Sequence, residues 1–174
     1  MASVNMQVAL VTAKRTDRAT LENLLELYIH DFSEILGDTP GEAGRFGYAG
    51  LDAYWSEAGH LPYLIRADGR LAGFALVCQG SRVSSDPTVF DLAEFFVVRG
   101  LRRRGVGLTA AALVLAAHPG VWEVRVMVEN VGAQHFWERA IGSFTGGRFE
   151  TFAWRGRHRR NFRAFRFTSP ALST

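Results

Sequence analysis

The sequence predicts an α/β fold in which a mixed sheet of about seven strands carries helices on both faces. The 174 residues, 48% of them hydrophobic, are enough for one domain with a proper core. Apolar segments with strand-like period alternate with segments of helical period. Residues 88–129 read as strand, helix and strand, which predicts a parallel crossover. We therefore expect residues 1–174 to form a single domain.

The first half of the chain predicts a strand, a long helix, a loop, a short helix and a strand hairpin. Leu21, Leu25 and Tyr28 recur at helical spacing, and Asp68-Gly69 is a favoured hairpin turn. The expected bounds are strand 4–13, helix 18–37, mobile loop 38–50, short helix 51–58 and strands 61–67 and 70–79.

The second half predicts two helices, each preceded by a strand, and then a final pair of strands. Pro119-Gly120 ends the first of these helices. The expected bounds are polar connection 80–87, strand 88–98, helix 108–117, strand 123–129, a helix after Asn130, and strands 144–154 and 161–168 around a basic turn 155–160.

The most informative segment, residues 102–107, reads Arg-Arg-Arg-Gly-Val-Gly and lies between a strand and a helix. Glycines let the backbone approach an anion closely, and the N-terminus of the next helix offers free N–H groups and a positive dipole end. Arginines add forked donors that fit phosphate oxygens. A solvated surface turn is the plainer interpretation, but the order of elements favours a diphosphate site. The P-loop pattern is absent, and the only lysine is Lys14.

The segment from about residue 88 to residue 145 resembles the GNAT acyltransferases, the Gcn5-related N-acetyltransferases. Arg102, Gly105 and Gly107 match the Arg-x-x-Gly-x-Gly motif with which that family binds acetyl-CoA. A second block of residues is similar to the strand and helix that follow in the family: Asn130, Ala133, Phe136, Trp137, Glu138, Arg139 and Phe144.

This resemblance implies acetyl-CoA as co-substrate and assigns it a binding surface. In the family, the strand before the motif parts from its neighbour and pairs with the pantetheine arm; the matching positions here are Phe96, Val97 and Val98. Asn130 is either a further partner of that arm or a simple helix cap. The expected diphosphate contacts are Arg102, Arg103, Arg104, Gly105, Val106, Gly107, Leu108 and Thr109.

Glu94 is the candidate catalytic base. It interrupts an apolar strand, where an unpaired buried carboxylate would be costly. The resemblance also favours it, because relatives often carry a glutamate on this strand. A solvent-facing or arginine-paired glutamate is the alternative. Trp137 stands where many relatives have a tyrosine that protonates the leaving thiolate, so the general acid is unassigned, and Trp137 is expected to pack against the cofactor or the core.

The acceptor is expected to be a primary amine of a small molecule or peptide, bound by Tyr28 and Asp31 on the first helix. An amphipathic helix with a solvated acidic face would explain these residues as well. Residues 1–94 hold 7 Lys/Arg and 13 Asp/Glu, and residues 95–174 hold 13 and 4, so the acidic half favours a cationic amine if the halves stay apart. Further candidates for the acceptor wall are Glu34, Tyr48, Tyr54 and Trp55.

Two other functions fit parts of the sequence. Arginines and aromatic residues interleave in residues 148–167, as on a nucleic-acid surface, although alternation in paired strands, with Phe on the core face and Arg outside, explains this equally well. A non-catalytic regulator that binds acetyl-CoA is the second alternative. We also expect a cytoplasmic protein with no membrane partner and no metal site, and a homodimer through the last strand stays open.

Overall fold

A computed structural model describes residues 6–171 of the chain. Two residues of the predicted first strand, Val4 and Asn5, lie outside this range. The seven strands are β1 (Val8–Thr12), β2 (His60–Ala67), β3 (Arg70–Gln79), β4 (Phe90–Val97), β5 (Gly120–Met127), β6 (Glu150–Arg155) and β7 (Asn161–Ser169). The four α-helices are α1 (Arg18–Leu36), α2 (Ala53–Ser56), α3 (Val106–Ala116) and α4 (Val131–Thr145). Short 3-10 helices span Arg15–Asp17, Arg99–Leu101 and Arg157–Arg159.

The strands form one mixed sheet in the order β1-β2-β3-β4-β5-β7-β6. Only β4 and β5 are parallel neighbours; every other pair is antiparallel. Helix α3 makes the crossover between them, because parallel strands need a long connection. The predicted mixed seven-stranded sheet with helices on both faces is therefore confirmed.

Two apolar layers hold the helices to the sheet. On one face, Leu21, Leu24 and Leu25 of α1 pack with Phe74 and Phe96 of the sheet. On the other face, α3 and α4 cover a second set of strand residues, among them Trp122, which is fully buried. No helix within residues 6–171 is both long enough and apolar enough to cross a bilayer.

The boundaries of α4 and β6 differ most from the prediction. The predicted strand 144–154 is wrong at its start, because Phe144 continues the helical spacing of Trp137 and Ile141. Helix α4 ends only at Thr145 and is followed by Gly146, which has φ 63°. Strand β6 begins at Glu150. Helix α2 is also shorter than predicted, α3 begins earlier, and β5 begins earlier than residue 123.

Candidate active site

Strands β4 and β5 part after three residue pairs. Their parallel pairing runs from Phe90↔Trp122 to Leu92↔Val124 and then stops. Strand β4 stays with β3, while β5 continues along β7 as far as Met127. A β-bulge lies where they part: consecutive β3 residues pair with Leu92 and with Glu94, so Ala93 has no β3 partner. Bulges sharpen the local twist, and this one lies where the sheet opens into a gap.

The gap forms a cavity of about 370 Å³. Its walls come from α1, from β4 and β5 on either side, from α4, and from the turn between β6 and β7. Five of the candidates named from the sequence line it: Tyr28, Tyr48, Glu94, Asn130 and Trp137. It joins the expected acceptor wall on one face of the sheet to the expected cofactor wall on the other.

The backbone of β4 offers hydrogen-bonding groups to this gap. Val98 N–H donates to Ala72 O of the opposite strand at 2.9 Å. Since backbone groups alternate along a strand, those of Phe96 and Val98 face β3, and those of Phe95 and Val97 face the gap. Of the three predicted pantetheine partners, Val97 is the one whose backbone groups face the gap, and those of Phe95, which the sequence did not single out, face it as well. A contact with pantetheine stays a prediction.

The loop before α3 has the backbone geometry of an anion cradle. Gly105 precedes the helix with φ 84°, a left-handed conformation in which a Cβ is strained. Thr109 N–H donates to Gly105 O at 3.0 Å, so the four N–H groups from Gly105 to Leu108 precede the first bond of the helix. No side chain caps this end, which leaves these donors to a ligand.

The three arginines of the loop divide into one anchor and two free cations. Arg102 donates through Nε to Val97 O at 2.7 Å and through Nη2 to Asp31 Oδ2 at 2.5 Å, and its guanidinium lies 5.3 Å from the centre of the Phe96 ring. Arg103 and Arg104 are exposed, and neither forms an ion pair within the described residues. The structure thus places two exposed charges beside the free amides, while the third arginine fixes the loop.

Asp31 lies against this loop and does not line the cavity. Arg99 Nη2 also contacts it, at 2.8 Å. Burial alone would raise the pKa of Asp31, but the hydrogen bonds from Arg102 and Arg99 lower it below its usual value. Asp31 is therefore a carboxylate that links α1 to the loop. It does not lie on the acceptor side of the cavity, where the sequence analysis expected it.

Helix α4 closes the cofactor side of the cavity. Asn130 caps it, with Oδ1 accepting from Ala133 N–H at 3.0 Å, so the helix-cap interpretation is correct and a contact with pantetheine stays a prediction. Trp137 is buried against Phe95, with ring centres 5.1 Å apart. A Cβ on Gly107 would stand 3.1 Å from Phe136, so this glycine lets α3 approach α4 closely.

Glu94 is held by two tyrosines at the point where the strands part. Tyr28 donates to Oε2 at 2.5 Å and Tyr48 to Oε1 at 3.1 Å. The side chain is half-buried and opens on the cavity. Burial raises the pKa of Glu94 above its ordinary value, while the two tyrosines and Arg125 oppose that shift. The pairing with arginine considered from the sequence is thus replaced by two neutral donors.

The tyrosines stay protonated beside this carboxyl group. Burial raises the pKa of Tyr28 and of Tyr48, and the Glu94 charge raises both further. Tyr48 comes from the predicted mobile loop, which is tied down where Phe46 N–H donates to Glu26 Oε2 at 2.7 Å. The sequence named Tyr48 only as a candidate, because the contact between Tyr48 and Glu94 depends on this loop folding over the cavity.

Two further acceptor-wall candidates have other contacts. Tyr54 is buried with its hydroxyl 3.3 Å from Cys78 Sγ, and Trp55 Nε1 donates to Ala13 O at 3.0 Å. Neither lines the cavity. Both hold α2 against the sheet.

The interleaved C-terminal residues mostly follow the alternation expected of paired strands. Phe165 and Phe167 are buried in the core. Arg163 lies on the same face as these two and forms a two-pronged pair with Glu138, both distances being 3.0 Å, so the expectation that every arginine faces outward is wrong here. Arg166 lies on the other face and pairs with the buried Glu123.

A mixed seven-stranded sheet with helices on both faces, whose parallel pair parts beside a glycine-containing loop, is the acyl-CoA N-acyltransferase fold. Residues 21–142 match the model of the acetyltransferase (GNAT) family, and the chain belongs to that family. It is therefore a GNAT-type acyltransferase, and acetyl-CoA is its co-substrate. No curated protein matches the chain in sequence.

Solved structures share the fold across nearly the whole chain. An aminoglycoside acetyltransferase in complex with coenzyme A has a TM-score of 0.67 at 16% identity, covering 93% of this chain and 95% of its own. Spermidine N-acetyltransferase from Vibrio cholerae, in complex with CoA and spermine, has a TM-score of 0.62 at 14% identity, with 94% and 96% covered. The ribosomal-protein-S18-alanine N-acetyltransferase from Escherichia coli has a TM-score of 0.61 at 12% identity, covering 96% of this chain and 97% of its own. At these identities the likeness shows the fold.

Proposed function

We propose that this chain, acting as a single domain, transfers the acetyl group of acetyl-CoA to a primary amine of a small molecule or peptide, by direct attack while both substrates are bound. The observation that carries the proposal is Glu94, a carboxylate opening on the gap between the parted strands. Tyr28 and Tyr48 line this gap on one side and Trp137 lines it on another, and strand β4 leads from Glu94 to the loop that carries the free amides. The named substrates of the structural neighbours are also amines.

The residues present fit the co-substrate. Four free N–H groups from Gly105 to Leu108 and the cations Arg103 and Arg104 suit a diphosphate, because helix N-termini and guanidinium groups both favour phosphate oxygens. The backbone groups of Phe95 and the N–H of Val97, whose carbonyl accepts from Arg102, would pair with the amides of the pantetheine arm. When bound, acetyl-CoA supplies a thioester carbon to which the amine nitrogen bonds as the carbon–sulfur bond breaks.

Glu94 is proposed to take the proton that the attacking amine must lose, directly or through one water. A base works best when its pKa lies near the working pH, and burial moves the pKa of Glu94 in that direction. Tyr28 and Tyr48 keep both carboxylate oxygens fixed, and one lone pair of each oxygen remains free for the proton. The carboxylate therefore stays oriented toward the cavity.

The leaving thiolate is proposed to depart without an acid from α4. Trp137 occupies the expected position, and an indole N–H is not acidic enough to protonate a thiolate. The two tyrosines nearest the gap have raised pKa values and already donate to Glu94. A thiolate is a tolerable leaving group, so turnover does not require a further acid.

The test combines binding with product analysis. Calorimetry should show acetyl-CoA binding to the wild type and equally to Glu94→Gln. Mass spectrometry of a panel of primary amines should show a product 42 Da heavier, formed about 10²- to 10⁴-fold more slowly by Glu94→Gln. The exposed Glu150→Gln serves as the matched control and should keep the wild-type rate. Wild-type transfer with an unchanged rate in Glu94→Gln would remove Glu94 from the mechanism.

A further inference from the structure

The acceptor side of the cavity is lined by arginines. Arg82, Arg125 and Arg160 all border it, whereas Glu94 is the only carboxylate among its lining residues in the described chain. Arg82 follows β3, Arg125 lies on β5, and Arg160 lies in the turn before β7. Three separate segments, which come from both the acidic and the basic half of the chain, bring positive charge to one opening.

Neither Arg82 nor Arg160 has a carboxylate hydrogen-bonded to it within the described residues. Asp91, which is fully buried, binds Arg125 through two hydrogen bonds of 3.1 and 2.8 Å. The other buried carboxylate of this region, Glu123, pairs with Arg166 at 2.5 Å. Arg82 has only a 3.7 Å approach to the already occupied Asp91, and Arg160 forms no ion pair within residues 6–171.

Arg82 and Arg160 are both accessible to solvent. The Arg82 side chain is 58% exposed, and Arg160 is exposed at the turn between β6 and β7. Arg125 is 10% exposed and packs over the Trp154 ring at 5.5 Å, so it is fixed and adds positive potential from behind. Exposed guanidinium groups facing one cavity favour a carboxylate or phosphate.

The positive region is distinct from the proposed diphosphate site. The phosphate loop follows the C-terminal end of β4, whereas Asp91 and its arginines lie at the N-terminal end of that strand. Arg125 also projects from the face of β5 opposite to Trp122 and Val124, which pack under α4. Glu94 lies between the two regions. An acyl chain extending along β4 from the loop would thus reach Glu94 before it reaches the arginines.

We propose that the acceptor amine carries an anionic group, a carboxylate or a phosphate, which Arg82 and Arg160 bind while the amine nitrogen faces Glu94. This inference rests on the proposed function and narrows its substrate class. It predicts discrimination against polycations, which would meet two exposed guanidinium groups at the opening. In the reaction, the amine nitrogen bonds to the acetyl carbon, the thiolate leaves, and the proton from nitrogen goes to Glu94; the anionic group does not react.

The test uses matched pairs of primary amines with acetyl-CoA and the intact chain. Each amino acid in a set of α- and ω-amino acids is compared with its carboxamide, and phosphoethanolamine is compared with ethanolamine; spermidine is the polycationic reference. The anionic member of a pair should have a kcat/KM about 10- to 100-fold higher, as one charge-assisted contact would give. The two types of pair distinguish a carboxylate from a phosphate as the anion.

Variants locate the preference in the structure. Arg82→Gln and Arg160→Gln should each lower kcat/KM for the anionic amine about tenfold more than they lower that for its neutral partner. Arg148→Gln, at an exposed arginine that does not line the cavity, is the control and should change neither. The preference should also weaken as salt is added.

Several outcomes would overturn the inference. Equal rates within pairs, a preference for spermidine, or a preference that survives both variants would each do so, and so would a failure to acetylate any anionic amine. Calorimetry with acetyl-CoA then distinguishes a failure of this inference from a failure of the proposed function. Retained binding together with transfer to neutral or cationic amines leaves the proposed function standing with a different acceptor. Absence of acetyl-CoA binding removes the proposed function as well.

Discussion

Replacing Tyr28 by phenylalanine should move the acid limb of the pH–rate profile to higher pH. The Tyr28 hydroxyl donates to Glu94 at 2.5 Å and stabilises the ionised carboxyl group. Its ring is packed by Phe32 and Phe96, with ring centres 4.8 and 6.0 Å away, so the substitution removes the hydroxyl and preserves the packing. The remaining carboxyl group is then harder to ionise.

The size of the shift follows from the strength of the lost bond. A hydrogen bond to a charged group contributes about 1.5–3 kcal/mol, and one pKa unit corresponds to about 1.36 kcal/mol. The pKa of Glu94 should therefore rise by about 1–2 units, with the lower figure expected because water in the open cavity can replace part of the lost bond. Tyr48→Phe, which removes a longer bond of 3.1 Å, should give a smaller rise.

The assay is kcat/KM against pH with an acceptor found in the amine panel, together with carboxyl ¹³C NMR of Glu94. Tyr54→Phe is the matched control, because that hydroxyl contacts Cys78 and not Glu94. It should leave the acid limb where it is in the wild type. If Tyr28→Phe also leaves the limb in place, the base that controls the rate is not Glu94 in the environment described.

Three further predictions concern stability and the loop. Folding raises the pKa of Glu94, so the wild type loses stability as the pH rises from the pKa of the unfolded state through that of the folded state. Urea unfolding should therefore show Glu94→Gln more stable relative to the wild type at pH 8 than at pH 4. An equal difference at both pH values would refute a buried charge at Glu94. Asp91→Asn should cost about 3–5 kcal/mol by leaving Arg125 uncompensated; a loss below about 1 kcal/mol in urea unfolding would contradict this. Gly105→Ala should lower the free energy of unfolding by about 1–2 kcal/mol, because Gly105 has a φ of 84°, and it should weaken acetyl-CoA binding. Gly100→Ala, at a glycine in open space, is the control and should do neither. Equal calorimetric affinities of the two variants for acetyl-CoA would contradict an anion site at residues 105–108.

The parts of the site that the sequence predicted are those with local causes. Gly105 is required by its own backbone angle, and the loop could therefore be recognised from its spacing. Glu94 could be singled out because an unpaired carboxylate buried in an apolar strand would destabilise the fold. Helix α1 followed from its leucine spacing. The family resemblance supplied the parting of the strands, which composition alone does not show.

The parts that could not be predicted depend on contacts between distant segments. Tyr28 and Tyr48 reach Glu94 across 66 and 46 residues, and the β-bulge that turns Glu94 toward them has no signature in the sequence. Asp31 was predicted on the acceptor wall from its position on the first helix, and its actual partners Arg99 and Arg102 lie 68 and 71 residues away, beyond the reach of local patterns. The charge difference between the halves was also uninformative, because folding mixes the two halves around the cavity. The homodimer and the cytoplasmic location stay predictions.

Binding of acetyl-CoA in the gap is best tested by ¹H–¹⁵N NMR of the labelled chain, which maps the ligand onto backbone amides. We predict the largest shift changes at Phe95 and Val97, whose amides face the gap, and at residues 105–108, whose amides precede the first bond of α3. Desulfo-CoA, which lacks the thioester, should reproduce the changes at residues 105–108 with weaker ones near Glu94. Changes confined to β6, β7 and their turn, with residues 105–108 unaffected, would contradict the account.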